Sequence, residues 1–242
     1  MFREYTKSAS VYDANLKQFF DYPSACKKIH GFIQQHHSNA KTLLDVACGT
    51  GKHLEFLQEH YQVEGLDLSP QMLEIARNSC PQIPFHEGNM IDFDLSKKFD
   101  IITCLYASVA IVKTLDNVRK AIARMAEHLA DDGILLIEPW WSPEQLWEGK
   151  LMANFADEPE HKIACMYIIK REGRLSVFDV HYLVGTPQGI ESFTEREEVG
   201  LFTREEYTES LENAGLEVCY YDTELFPEHK YGLYVGTKKN IN

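Results

Sequence analysis

Positive charge is what this chain has least of. Its 242 residues carry 24 Lys and Arg against 37 Asp and Glu, a formal net charge of −13. So acidic a surface repels phosphate backbones and anionic lipid, which sets nucleic acid and membranes aside as primary partners. No apolar run approaches the ~20 residues that span a bilayer. The opening MFREYTKSAS has no apolar core of the signal-peptide kind, so a cytoplasmic protein is expected. Cysteines stand at 26, 48, 80, 104, 165 and 219 with no CxxC pair, and read as reduced, buried thiols. Histidines at metal-binding spacing are missing too: only His36 and His37 stand close together, and no HExxH or HxxxH occurs, so no metal site is expected. There is no internal repeat, low-complexity linker or break long enough for two domains, so residues 1–242 are expected to form one domain.

What is present is an alternation of short apolar runs and amphipathic stretches. Residues 22–36 read as a helix, with Ala25, Ile29, Phe32 and Ile33 at helical spacing. TLLDVA is a buried strand, KHLEFLQEH a helix and VEGLDL a strand. A helix over SPQMLEIARNS follows, opened by Ser69 as N-cap and Pro70 at its first position. IPFHEG, FDIITCLY and ILLIEP supply three more strands. Residues 114–130 form a helix with Val118, Ile122, Met125 and Leu129 on one face, closed by DDG. Such alternation predicts a parallel, Rossmann-like sheet with helices on both faces. Beyond residue 150 the pattern changes. KIACMYIIK, RLSVFDVHYLV and IESFTEREEV are long and strand-like, joined by the turns REGR and GTPQG, which predicts an inserted antiparallel cap over 150–200. Thr203 and Glu206 form a capping box for the next helix, and LEVCYY and KYGLYVGTK close the chain as strands.

The loop CGTG after the first strand brings backbone close to a ligand. A nucleoside triphosphate loop needs GxxxxGK[ST]; here Val46 stands five before Gly51, and His53 follows Lys52. A dinucleotide loop needs a third glycine, and Leu54 stands there, which weakens an NAD(P)-dependent oxidoreductase without removing it. S-adenosylmethionine (SAM) fits better. An acid before the loop, Asp45, suits its ammonium group, and loop and helix-end amides around Gly49 and Gly51 suit its carboxylate. A second acid, Asp67, ends the next strand where ribose hydroxyls would lie, and Asn89 in GNMIDF follows the third strand where the adenine edge would lie. Each has a plain structural alternative: Asp45 can bond loop amides, Asp67 can cap the next helix, and Asn89 can hold a turn.

LLDVACGTG, GLDLS, GNMIDF and FDIITCLY, in this order and spacing, resemble the motifs of class I SAM-dependent methyltransferases. With EPWWSPE, KREG, VHYLV, LFTREEY, AGL and YGLYVG, the chain looks closest to the N,N-dimethyltransferases of nucleotide-linked amino sugars. The resemblance implies a seven-stranded sheet with its last strand antiparallel, a small-molecule amine acceptor, and a homodimer. It places Tyr5 and Tyr12 in a lid within an N-terminal segment and helix over residues 1–38, and Tyr22 at the methionine end. It extends the cofactor set to Ala47, His53, Leu68, Met72, Met90 and Leu105. Glu138 and His181 join the two tyrosines as candidates to receive the acceptor's proton. Tyr106, Ser108, Trp140 and Trp141 would line the acceptor site, with Lys170, Arg171 and Lys230 near a diphosphate. The chain departs from that family in three places. Asn89 replaces an Asp. Ile111 replaces a polar aromatic residue near the reaction centre, which puts the particular sugar in doubt and keeps a hydroxyl or a peptide amine open as acceptor. Lys230-Tyr231 stands where the family has Arg before its final GLF, which keeps one charge but loses a bidentate grip. A SAM-binding module without turnover is the remaining alternative.

Overall fold

A computed structural model describes residues 7–17, 20–225 and 231–238; Tyr5 and Lys230 lie outside the described residues. A 3-10 turn at Ser8–Val11 leads into α1 (Tyr12–Leu16) and then α2 (Tyr22–His36). Asp21 caps α2 by accepting from the Ser24 amide at 3.0 Å. Next come β1 (Thr42–Val46), α3 (Lys52–Leu57), β2 (Gln62–Asp67), α4 (Pro70–Ser79), β3 (Phe85–Glu87) and β4 (Phe99–Cys104). A second 3-10 turn, Ser108–Val112, precedes α5 (Leu115–Glu127) and β5 (Leu129–Ile137). Leu43, Leu44 and Val46 on β1 are fully buried, as expected of a central strand covered on both faces. On α5 one stripe, Val118, Ala121, Ile122 and Met125, is wholly buried, and this burial supplies most of the helix's stability.

The cap consists of β6 (Leu151–Asp157), β7 (Lys162–Ile168), β8 (Lys170–Glu172), β9 (Leu175–Thr186) and β10 (Gly189–Gly200). It is followed by α6 (Arg204–Asn213), β11 (Leu216–Tyr221) and β12 (Leu233–Lys238). The capping box of α6 forms as its sequence predicts: Glu206 accepts from the Thr203 amide at 2.9 Å, and Thr203 accepts from the Glu206 amide at 3.3 Å. The main sheet has the order β11-β12-β5-β4-β1-β2-β3, in which β12 runs antiparallel to both neighbours. The second sheet runs β10-β9-β7-β6 with β8 paired to β9, all antiparallel. Chain order reverses between β1 and β4, so the crevice at their carboxyl ends is where a ligand is admitted.

Two stretches differ from expectation. β6 is a strand where none is evident from the sequence; its Leu151 and Phe155 are exposed, which hides the usual apolar-in pattern. The DDG segment does not break the chain. It lies inside β5, where Asp132 takes a left-handed backbone (φ 60°) and the β4–β5 register shifts between Phe99 and Ile101. A bulge accommodates the polar residues without ending the strand.

Gly65 on β2 lets this frame close behind the glycine turn. A methyl group there would meet Cys48 Sγ and the Phe85 ring at 2.7 Å. Gly65→Ala is therefore expected to overpack the site and cost about 1–3 kcal/mol, read as a lower urea midpoint with unchanged slope; an unchanged midpoint would show that Phe85 moves aside freely.

Candidate active site

A cavity of about 830 Å³ opens above the carboxyl ends of β1, β2 and β4. Its lower half is lined by Ala47, Gly49, Asp67, Leu68, Met72, Asn89 and Met90. The backbone turns left-handed at Ala47 (φ 62°), Gly49 (φ 55°) and Gly51 (φ 79°). A side chain on Gly49 would meet no protein atom within 4 Å, so the open space above it is left for a ligand.

Asp67 ties this half together. One carboxylate oxygen accepts from the Gly49 amide and the other from the Ser69 amide, both at 2.8 Å. A single side chain thus fixes the glycine turn and the start of α4. Asn89 accepts from the Ile91 amide at 3.2 Å through its side-chain oxygen, so it holds its turn while lining the cavity.

Asp45 is the departure in this half. It does not reach the cavity wall: it is 2 % exposed and accepts from the Thr103 hydroxyl at 2.7 Å. Burial pushes its carboxyl up to about 7, against the opposing hydrogen bond from Thr103; Asp67 nearby adds to the rise. Gly51, His53 and Leu105 also stand off the wall. His53 is buried edge-on against Tyr22, ring centres 5.2 Å apart. Tyr22 lines an adjoining hollow of about 560 Å³ with Asp13 and Lys52 rather than the cavity itself.

The upper half is aromatic. Trp140 and Trp141 lie with ring centres 4.7 Å apart, Tyr231 is 5.3 Å from Trp140, and Tyr167 stacks on Phe178 at 5.0 Å. All five line the cavity with Tyr12, Tyr106, Ser108 and Ile111. Tyr106 and Ala107 take left-handed backbone at φ 51° and 58°. Glu138 holds this strained turn by accepting from the Tyr106 amide at 2.6 Å. Burial pushes the Glu138 carboxyl up to about 8, so it is largely protonated at neutral pH and stands behind the wall rather than on it.

Three further expectations need correction. His181 lies on the outer face of the cap, bonded across the strand pair to Thr194 at 2.9 Å, because Phe178, Val180, Tyr182 and Val184 take the inner face. Lys170 and Arg171 are exposed and off the cavity wall; Arg171 donates to the carbonyls of Gly173 and Pro143. The wall instead presents Lys150, which also lies over the Trp147 ring at 4.4 Å, and Glu197 of β10. Both were missed. Lys150 precedes the unexpected strand β6, and Glu197 sits in the charged run EREE, where only register separates inward from outward residues.

The segment 7–17 closes one side. Glu195 accepts from the amides of Lys7 and Ser8 at 3.0 and 3.2 Å and from the Ser8 hydroxyl. Asp13 accepts from the Thr50 hydroxyl at 2.7 Å, and Asn15 accepts from the Cys165 thiol at 3.5 Å. The segment is thus fastened to the cap at one end and to the glycine turn at the other.

The sheet order, the glycine turn at the switch point and the acid ending β2 are those of a SAM-binding fold, and residues 43–133 match the family described as a methyltransferase domain. The chain is 41% identical to the dTDP-4-amino-2,3,4,6-tetradeoxy-D-glucose N,N-dimethyltransferase of Saccharopolyspora spinosa, covering 88% of this chain and 86% of that one. The crystal structure of Streptomyces venezuelae DesVI superposes with a TM-score of 0.91 at 34% identity, over 96% and 99% of the two chains. The SAM-bound amino pentose methyltransferase of Micromonospora echinaspora superposes with a TM-score of 0.85 at 33% identity, over 99% of each. The chain belongs to this family of SAM-dependent methyltransferases, the dTDP-amino-sugar N,N-dimethyltransferases and their kin. Among the described residues no helix is long and apolar enough to cross a membrane, and no cluster of side chains suits a metal ion.

Asp45 and Glu138 set a pH dependence, to which Asp13, also raised by burial, adds in the same direction. Each keeps its proton in the folded state at pH values where the unfolded chain has released it. Stability is therefore lost as pH rises from the unfolded value toward about 7 for Asp45 and about 8 for Glu138. Between pH 6.5 and 8.5 the melting temperature of Glu138→Gln, whose amide oxygen still accepts from Tyr106, is expected to fall about 2–4 °C less than that of the parent. Parallel falls would mean that Glu138 is ionised throughout.

Proposed function

We propose that the protein methylates the amine of a nucleotide-linked amino sugar, twice in succession, working in the cytoplasm as one domain whose cap supplies the acceptor wall. The observation that carries this reading is the two-part cavity, with a polar strand-end half suited to SAM and an aromatic cap half suited to a second reactant. Its volume falls within the range of small-molecule sites and leaves room for both. The names of the relatives that match most of the chain supply the acceptor class.

Asp67 would take the ribose hydroxyls, Asn89 the adenine edge, and the Gly49 turn the amino-acid end. Asp45, set back from the wall, would act on the ammonium through field rather than contact. Gly51, His53, Leu105 and Tyr22 would support the cradle from behind. SAM, when bound, supplies a methyl group on a sulfonium, already activated for displacement. The chain's own task is alignment, which can supply ~7–11 kcal/mol of the barrier when reacting atoms are held ~3 Å apart. Tyr12 and the aromatic wall would orient the sugar and exclude water, with Ser108 near a sugar hydroxyl. Lys150 is the cation suited to the diphosphate; the roles expected of Tyr5 in the lid and of Lys230 at the phosphate lie outside the described residues.

A homodimer is part of the same proposal. The outer face of the cap exposes Phe155, Met166, Ile168, Leu183 and Ile190, brought onto one face by the register of four strands. So large an apolar face suits a self-complementary contact. Light scattering is expected to give twice the chain mass, and Leu183→Glu a monomer; a monomeric parent would remove the dimer.

With methyl-labelled SAM, dTDP-linked amino sugars are expected to take up label, ending at two methyl groups by mass. Label on a peptide amine or a sugar hydroxyl instead, to which the apolar Ile111 lends weight, would overturn the amino-sugar reading. Asp67→Asn is expected to weaken SAM binding about 10–100-fold by calorimetry, since hydrogen bonds to a charged group contribute about 1.5–3 kcal/mol each. Unchanged affinity would remove Asp67 from the cofactor site.

A further inference from the structure

Methyl transfer to nitrogen needs a lone pair, and a sugar amine near neutral pH arrives mostly as an ammonium ion. Something on the wall must favour that cation and then relieve it of a proton. The position where the family resemblance implies a polar aromatic residue holds Ile111, which can do neither. Glu138 stands behind the wall bonded to the Tyr106 amide, and His181 faces away. Among the described residues no histidine lines the cavity.

Among the described residues three carboxylates line it: Asp21, Asp67 and Glu197. Asp21 stands at the N-cap of α2 and Asp67 at the end of β2 in the cofactor half, both away from the aromatic wall. Glu197 is the one on the cap. It is 7 % exposed, on the inner face of β10, with Phe178 of the aromatic wall directly opposite on β9. Its strand packs against the turn Ser108–Val112, which carries Ile111. Burial pushes up the thiol of Cys165 on neighbouring β7, and the charge of Glu197 adds to that rise. Glu197 therefore lines the acceptor half of the cavity, opposite the aromatic wall and on the strand that meets the reaction turn.

We propose that Glu197 receives the acceptor amine, its carboxylate binding the ammonium and taking one proton from it. This rests on the amine reading above. The N–H bond breaks with its electron pair left on nitrogen, and the proton goes to the carboxylate. That pair then forms the new N–C bond while the C–S pair returns to sulfur. The carboxylic acid releases its proton to solvent, and the net products are a methylammonium, a neutral thioether and one proton. A second round repeats the proton transfer on the monomethylated amine, so one residue serves both steps. Positioned proton transfer of this kind is worth ~10²–10⁴-fold.

The test is Glu197→Gln, which keeps size and polarity but cannot bind a cation by charge. At pH 7 its kcat/KM for a dTDP-linked amino sugar is expected to fall at least ~10²-fold. It should climb about tenfold per pH unit toward the amine's own pKa, where free amine becomes abundant, while the parent profile stays flatter. Calorimetry without SAM is expected to show weaker binding of the amino sugar but unchanged binding of dTDP-glucose, which carries a hydroxyl in place of the amine. SAM affinity should not change. A pH profile parallel to the parent's, or equal losses for both nucleotides, would overturn the role of Glu197. A parent that labels no amine at all would instead overturn the amine reading itself. Should the Gln variant not fold, Glu197→Asp, with the carboxylate drawn back by one methylene, is expected to lose kcat/KM while keeping the parent's flat pH profile; unchanged kcat/KM there would equally overturn the proposal.

Discussion

The structure depends on one carboxylate shared between two turns. Asp67 accepts from the Gly49 amide with one oxygen and from the Ser69 amide with the other. Each of those segments alone is a loop with left-handed or extended backbone and little reason to stay where it is. Bound to the same side chain, they keep a fixed separation across the end of β2. Charge-assisted hydrogen bonds to backbone amides are the stronger kind, and these two lie at the edge of a cavity rather than in bulk water. The open volume above Gly49 therefore has a constant shape. The largely buried strands beneath it, β1 and β4, anchor the turn from below.

The second constraint is the left-handed turn at Tyr106 and Ala107. Neither residue favours that backbone, and a strained pair of this kind persists only where its surroundings over-determine it. Glu138 supplies the amide contact, and the edge-on packing of Phe20 against Tyr106 at 4.7 Å supplies the rest. A buried, largely neutral carboxyl here acts as scaffold. Its position just before the two tryptophans makes it look chemical in the sequence, whereas its geometry is structural.

How much was legible follows from how local each signal is. The helix α5, the caps at Ser69 and Thr203, and the buried strands β1 and β4 announce themselves within a dozen residues, because period and cap chemistry are short-range. The seven-stranded order came through motif resemblance, not through periodicity. The cap was legible as antiparallel but not in its facing. Both of its faces carry apolar residues, Phe178 and Tyr182 inside and Met166 and Leu183 outside, so alternation alone does not say which side is covered. That is why His181 was expected inward and Glu197 went unseen. Asp45 shows the same limit in depth: the sequence places it at the right strand end, but not behind the wall, where Thr103 holds it.

The fastening of residues 7–17 reaches beyond the site. Glu195 grips this segment from the cap, while Thr50 grips it through Asp13 from the glycine turn. Asn15 adds a third tie by accepting from the Cys165 thiol of β7. Cap and glycine turn are therefore coupled through a stretch of chain that belongs to neither sheet, so a shift of either one is felt by the other.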